Sequence, residues 1–213
     1  MKKILLALSL VALTSAAFSE GLDLSAGGSV GYTFNSQSYK LVNGITTNES
    51  TATSNLLSVG AFFDLTYAEV GLGIQTQLGK SKLKSKLTYD GYSQLNKDDS
   101  SDFDSQLLNL TFKALGKYPF AFDKITVFPL AGLEYGFNLG TKDKDTLNDK
   151  QKSDLNDLFI DLGAGVDYAL TDKLYIRGEG LFGLNLTAKP DAFTVDSAFG
   201  YKVDVAVSVG YKF

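Results

Sequence analysis

The sequence has 213 residues, with 20 basic and 24 acidic side chains and no histidine, cysteine or tryptophan. This length suits a single domain. The absence of cysteine excludes disulfide bonds, thiolate metal sites and thiol nucleophiles. A net charge of −4 without a basic patch argues against a nucleic-acid partner. A mean hydropathy of zero argues against a bundle of membrane-spanning helices.

The first nineteen residues have the three parts of an export signal in order. Met1–Lys3 is positively charged, Ile4–Leu13 is apolar, and Ala17-Phe18-Ser19 provides small residues at the two positions that signal peptidase reads. The alternatives are a short membrane anchor or a buried helix, but the apolar stretch is too short to span a bilayer. We therefore expect residues 1–19 to be a cleaved signal peptide and residues 20–213 to be the mature domain.

From Leu22 onward, apolar residues alternate with small or polar ones. Period-two alternation is the signature of a β-strand, because successive side chains point to opposite faces. Segment eight, for example, reads Val203, Val205, Val207, Val209 and Tyr211 on one face. The pattern predicts an all-β protein with eight strands, at 22–35, 57–65, 69–78, 108–114, 125–137, 158–168, 174–186 and 199–213.

The connections between these segments alternate in length. Those at 64–67, 116–123 and 171–173 are short, whereas those at 35–55, 80–104, 140–157 and 187–197 are long and polar. Transmembrane β-barrels have short periplasmic turns and long outer loops. The prediction is an eight-stranded antiparallel up-and-down transmembrane β-barrel with four long outer loops, short periplasmic turns and both chain ends in the periplasm.

A soluble barrel with an apolar interior would also alternate, but its wet outer face should be rich in Lys and Glu. Here the polar face is mostly Gly, Ser, Thr, Asn and Gln, which fit a narrow lumen. Aromatic residues gather at the predicted strand ends, as expected at two membrane interfaces. They are Tyr67, Tyr118, Phe120, Phe122, Tyr168, Tyr211 and Phe213 at one end, and Tyr32, Phe34, Tyr135, Phe137, Phe182, Phe199 and Tyr201 at the other.

The last strand, with Val209, Tyr211 and a terminal Phe213, resembles the C-terminal assembly signal of bacterial outer-membrane barrels. The mature chain resembles small eight-stranded barrels of the OmpA-domain, OmpX and OmpW kind. Residues 63–67, 116–120 and 128–132 resemble, more narrowly, spirochaete-type surface barrels. The resemblance implies a location in the bacterial outer membrane, with outer-membrane lipid and the barrel assembly machinery as partners.

Charged residues on the inward face are the main candidate site. Charges at membrane depth must face the interior and find partners there, and Arg177, the only arginine, can bridge several carboxylates. We expect a salt-bridged plug, the alternative being a narrow pore or proton path. The set is Asp23, Asp64, Glu69, Lys113, Asp167, Arg177 and Glu179 in the periplasmic half, and Glu134, Asp161, Lys202 and Asp204 in the outer half.

Four lysines, Lys80, Lys82, Lys84 and Lys86, continue the outward parity beyond Leu78. They are candidates for contact with anionic headgroups or an acidic host surface; the alternative is a solvated hairpin whose lysines discourage edge pairing. The stretches 48–50 and 141–145 are expected to be exposed loops, and the second lacks the spacing of a calcium loop. No metal or cofactor site is predicted.

Three functions remain open. The first is a structural or surface-interaction barrel, whose outer loops meet a host or envelope ligand. The second is a narrow OmpW-like channel for small or hydrophobic solutes. The third, an enzyme, is disfavoured because barrel hydrolases use a histidine as general base or as partner to a nucleophile.

Overall fold

The computed structural model describes residues 24–89, 97–103, 107–140, 156–188 and 197–213. The predicted signal peptide, Asp23 and the 141–145 stretch lie outside these ranges. Among the described residues, no helix is long and apolar enough to cross a membrane. The described chain forms eleven strands: β1 Ser25–Asn43, β2 Thr46–Leu65, β3 Ala68–Gln77, β4 Ser81–Tyr89, β5 Lys97–Phe103, β6 Leu108–Lys117, β7 Phe120–Phe122, β8 Ile125–Gly140, β9 Asp157–Ala169, β10 Leu174–Asn185 and β11 Ser197–Lys212.

Eight of these strands close into a ring. The order is β1-β2-β3-β6-β8-β9-β10-β11, and β11 pairs again with β1, every pair being antiparallel. The ring strands correspond to the eight predicted segments, so the predicted all-β, eight-stranded antiparallel barrel is confirmed. Because the ring is closed, it exposes no strand edge to the bilayer, where unpaired backbone groups are costly.

The strand register shows how the barrel is tilted. A row of paired residues that starts at Tyr175 on β10 passes through Gly27, Gly71 and Glu134 and returns to β10 at Asn185. The row therefore closes ten residues further along the strand. Such a stagger tilts the strands to the barrel axis, and an eight-stranded barrel has an interior that side chains can fill.

The two faces of the ring differ as the sequence pattern predicts. Outward valines such as Val30 and Val207 are more than half exposed, at 56% and 59%, while their sequence neighbours line the interior. Aromatic side chains contact one another at both ends of the apolar band. Tyr67–Tyr118 and Tyr211–Phe213 contacts lie at the short-turn end, and Phe34–Tyr201 and Phe112–Phe137 contacts lie at the other.

The structure refines the predicted outer connections, because two of them contain strands. β1 and β2 run on beyond the predicted segment ends and meet in a two-residue turn, where Gly44 has a φ of 59°. A positive φ at this first turn position favours glycine. After a bend at Gly79, β4 pairs with the outer half of β2, and β5 pairs with β4. We call β4, β5 and the outer halves of β1 and β2 the outer extension.

The sequence predicted at most a solvated hairpin at the lysines of 80–86 and no strand at 46–55, because both faces of the extension meet water. Where neither face is buried against lipid or core, the hydrophobic alternation that reveals a strand disappears. The segment 46–55 instead carries four threonines, a residue type with high strand propensity. For the same reason the 48–50 stretch, expected to be a loop, lies within β2. The short strand β7 pairs with β8 inside the predicted 116–123 turn.

Candidate functional site

Glycines make room for large side chains inside the barrel. A Cβ atom added to Gly165 would collide with the ring of Phe128, and one added to Gly210 would collide with the ring of Tyr175. Both rings are fully buried, with exposures of 0% and 1%. The interior is therefore packed with aromatic rings lying against the bare backbone of neighbouring strands.

Among the described residues, two ion clusters lie in the lumen, and the lower one is the cluster nearer the short turns. It is centred on Arg177, whose side chain has no solvent exposure. Its Nε donates to Asp167 at 2.6 Å, its Nη2 donates to Asp64 at 2.7 Å, and its Nη1 donates to Glu69. Lys117 adds an ion pair with the second oxygen of Asp64 at 2.5 Å. The guanidinium thus uses its fixed fork of donors to join three strands, β2, β3 and β9, to β10.

Aromatic faces surround this guanidinium. Its carbon lies 4.8 Å from the ring centroid of Phe128, 5.0 Å from that of Phe62 and 5.2 Å from that of Tyr175. Aromatic faces attract a cation, and the attraction is strongest where water is excluded. The Tyr175 hydroxyl is also hydrogen-bonded to Ser25 at 2.8 Å.

The upper ion cluster is built around Lys202 and Lys113. Lys202 lies 2.6 Å from Glu134, 2.7 Å from Asp204 and 3.3 Å from Asp161. Lys113 lies 3.1 Å from Glu134 and 3.3 Å from Asp204. Four of these five side chains are at most 7% exposed, and Lys113 is 25% exposed. The upper cluster therefore crosses the lumen from β6 to β8, β9 and β11.

The prediction that Lys113 lies in the periplasmic half is wrong, because its ammonium belongs to the upper cluster. Lys113 is the direct register partner of Glu134 on β8. The tilt of the strands places a residue in the middle of β6 higher than its distance from the strand end suggests.

The lumen also contains a small apolar core of Leu115, Phe128, Leu130 and Leu181. Beside it lies a cavity of about 60 Å³, which Glu69, Lys113 and Glu179 help to line. Glu179 has one carboxylate oxygen without a hydrogen-bond donor. A second cavity, of about 10 Å³, lies above the upper cluster. These volumes accommodate one to a few water molecules.

Several members of this interior were missed from the sequence. Lys117 follows the predicted end of segment four, although it shares the inward parity of Lys113. Phe62, Phe128 and Tyr175 also occupy inward positions, which we expected to carry small or polar residues. One signal in the sequence could have identified these rings: each aromatic ring lies beside a glycine on the neighbouring strand.

The predicted basic stripe lies on the outer extension. Lys82, Lys84 and Lys86 are exposed on β4, and Lys80 lies in the bend that precedes it. Their register partners on β2, Thr53, Thr51 and Glu49, share the outward parity of Leu57 and Val59. The lysines therefore point to the side of the barrel wall and not over its mouth.

The C-terminal residues of the predicted assembly signal lie on the lipid-facing side of β11. Val209, Tyr211 and Phe213 are 52%, 42% and 73% exposed. Among the described residues, no group of three or more Asp, Glu, His or Cys side chains is placed to hold a metal ion.

A closed eight-stranded barrel with an apolar outer band, two aromatic girdles and a charged lumen is an integral membrane β-barrel of the bacterial outer-membrane class. Residues 4–213 match the outer membrane protein beta-barrel domain family, and the chain belongs to that family. The predicted location in the bacterial outer membrane is thereby confirmed.

A comparison with solved structures finds other outer-membrane proteins at low identity. The outer membrane protein OprG from Pseudomonas aeruginosa is 13% identical over 90% of this chain and 95% of its own, with a TM-score of 0.44. Neisserial surface protein A is 13% identical over 91% and 100%, with a TM-score of 0.44. The outer membrane protease OmpT from Escherichia coli is 9% identical over 92% and 99%, with a TM-score of 0.45. No curated protein sequence matches the chain.

Proposed function

We propose that this protein is a closed scaffold in the outer membrane, which presents its outer extension and loops to a host or envelope ligand. The two buried ion clusters carry the proposal. Arg177 and Lys202 each contact three carboxylates, so charges that an open pore would offer to passing ions are already occupied. Four buried apolar side chains, Leu115, Phe128, Leu130 and Leu181, occupy a further part of the interior.

Conductance across a planar bilayer tests whether the lumen is closed. The chain from Glu20 to Phe213, refolded and inserted, should give no stable single-channel steps. Folding is verified separately by the slower gel migration of the protein after boiling, and insertion by flotation of the protein with lipid vesicles. Stable steps whose size changes in Glu134→Gln would contradict the proposal and favour the narrow OmpW-like channel instead.

The proposal includes the absence of catalysis. The chain has no histidine, and the inward carboxylates Asp64, Glu69 and Asp167 are engaged by Arg177. A general base would need a free proton-accepting group within reach of a substrate. Purified protein should therefore hydrolyse neither peptides nor phospholipids above the rate in the same buffer and detergent without protein.

We further propose that Val209, Tyr211 and Phe213 are read by the barrel assembly machinery. The support is their shared outward face at the end of β11, where β1 and β11 close the ring. Phe213→Ala should lower the yield of folded barrel in cells while leaving spontaneous refolding in detergent unchanged. An equal loss of folded barrel in cells and in detergent would mean that Phe213 contributes to packing and is not read by the assembly machinery.

A further inference from the structure

We propose that the outward face of β4 binds phosphate-bearing headgroups of the lipid that surrounds the barrel in the outer leaflet. The lysines Lys82, Lys84 and Lys86 would supply the charge. This inference specifies one ligand of the extension and does not depend on whether the lumen conducts, so the conductance experiment leaves it untouched.

The direction of the lysines supports a lipid ligand. β4 follows β3 after a bend, and the pairing of β4 with β2 is shifted by two residues relative to the pairing of β3 with β2. Because this shift is even, the outward parity of β3 continues in β4. The lysines therefore continue the lipid-facing row of Leu72, Ile74 and Leu78. A surface continuous with the lipid-facing wall, just beyond its apolar end, lies at the level of the headgroups.

The charge of this surface is opposite to that of the whole protein. On the outward parity of the extension, the described side chains include Lys40, Lys82, Lys84 and Lys86 against Glu49 and Asp102. Lys40 lies 3.4 Å from Glu49, and by register Asp102 is the β5 partner of Lys82 and Asp98 that of Lys86, whereas both register partners of Lys84 are uncharged. The chain as a whole carries a net charge of −4. Lys84 is therefore the lysine of this face that is best placed to meet an anionic headgroup.

Lys84 and Lys86 line an open groove of about 420 Å³. The register partners of Lys84 are Thr51 on β2 and Ser100 on β5, so hydroxyl groups flank its ammonium on both sides. Glu49 and Asp99 also line the groove. An ammonium between hydroxyls can donate several hydrogen bonds to a phosphate, and the carboxylate of Glu49 can accept hydrogen bonds from the hydroxyl groups of a sugar. A phosphorylated sugar headgroup satisfies both kinds of group.

Native mass spectrometry of the detergent-solubilised barrel with lipid A tests this inference. The wild-type protein should retain bisphosphorylated lipid A, and the Lys82→Gln, Lys84→Gln, Lys86→Gln triple variant should bind it on the order of 100-fold more weakly, or about fivefold for each lysine. The matched control removes three exposed lysines at the opposite end of the barrel, as Lys124→Gln, Lys173→Gln and Lys212→Gln, and should bind normally.

Three further binding measurements identify which part of the lipid is recognised. Replacing the same three β4 lysines with arginine should restore binding, since arginine also binds phosphate. Dephosphorylated lipid A should bind as weakly to the wild type as the intact lipid does to the triple variant. Inorganic phosphate at equal concentration should not compete, because it lacks the acyl chains that lie along the apolar wall.

The inference would be overturned if the triple variant retained lipid A as well as the wild type, or if the control lost it equally. It would also be overturned if a soluble sulfated polysaccharide bound the β4 face while removal of the lipid phosphates had no effect. That result would make the face a receptor for soluble polyanions.

Discussion

At the scale of single residues, the interior depends on a few buried charges that are expensive to leave unpaired. Arg177 joins β10 to Asp64, Glu69 and Asp167, and its removal leaves these carboxylates without their shared counter-charge in a space that excludes water. A buried ion network of this kind is a weak source of net stability, but breaking it from one side is costly.

Arg177→Ala should therefore lower the free energy of unfolding by about 3–5 kcal/mol. The measurement is urea unfolding of the refolded barrel in lipid vesicles, followed by circular dichroism. Lys173→Ala, which removes an exposed lysine at the start of the same hairpin, is the control and should change the midpoint little. An unchanged midpoint in Arg177→Ala would show that the network does not hold the strands together.

The glycines of the interior make a second test at this scale. Gly165→Ala places a methyl group against the buried ring of Phe128, whereas Gly180→Ala places one in open space. Overpacking a filled interior costs about 1–3 kcal/mol, so we expect this loss in the first variant only. Differential scanning calorimetry of both proteins in the same detergent would measure it, and equal melting temperatures would contradict the tight packing of the ring.

At the scale of strands, the ring and the outer extension are held by different strand pairings. β4 and β5 pair with each other and with the outer half of β2, and they contribute no pairing to the ring. The ring closes below them through the pairing of β3 with β6. The amide of Gln77 donates to the carbonyl of Leu107 at 3.0 Å, so a short turn can bridge the two strands.

Replacing residues 78–106 by a two-residue Asn-Gly turn should leave a folded barrel, because this dipeptide favours the turn of a tight hairpin. The variant should keep its slower gel migration after boiling and should lose lipid A binding if the β4 lysines provide it. As a comparison, deletion of residues 157–185 removes β9 and β10 and should abolish folding. Failure of the first variant to fold would mean that the extension is needed to close the ring.

At the scale of the whole molecule, the two ends of the barrel face different compartments. The extension rises from the end opposite the short turns at 66–67 and 171–173. The start of β1 and the end of β11 pair with each other beside the short turns, and in barrels of this class the short turns face the periplasm. The tip at Gly44 should therefore be on the cell surface.

Because the chain has no native cysteine, single cysteines report this orientation without background. Asn43→Cys, at the tip of the extension, should react with a membrane-impermeant maleimide on intact cells. Asp172→Cys, in a short turn, should react only after the outer membrane is permeabilised. The opposite labelling pattern would reverse the assigned orientation.

Much of this architecture can be predicted from the sequence because the information is local. Alternation such as that of Val203 to Tyr211 arises wherever one strand face meets lipid and the other meets a polar lumen, so it marks both the strand and its outward side. The same parity identifies the inward charges before any partner is known. Where both faces meet water, as at 46–53, no alternation exists and the strand is invisible to this criterion.

The partners themselves were decided only by the tertiary structure. Arg177 meets Asp64 across 113 residues of sequence, and Lys113 meets Asp204 across 91. Those encounters depend on the ten-residue stagger of the closed ring, which sets how high each inward side chain lies. Alternation fixes the face of a residue but carries no information about its height relative to other strands, and for that reason Lys113 was assigned to the wrong half of the lumen.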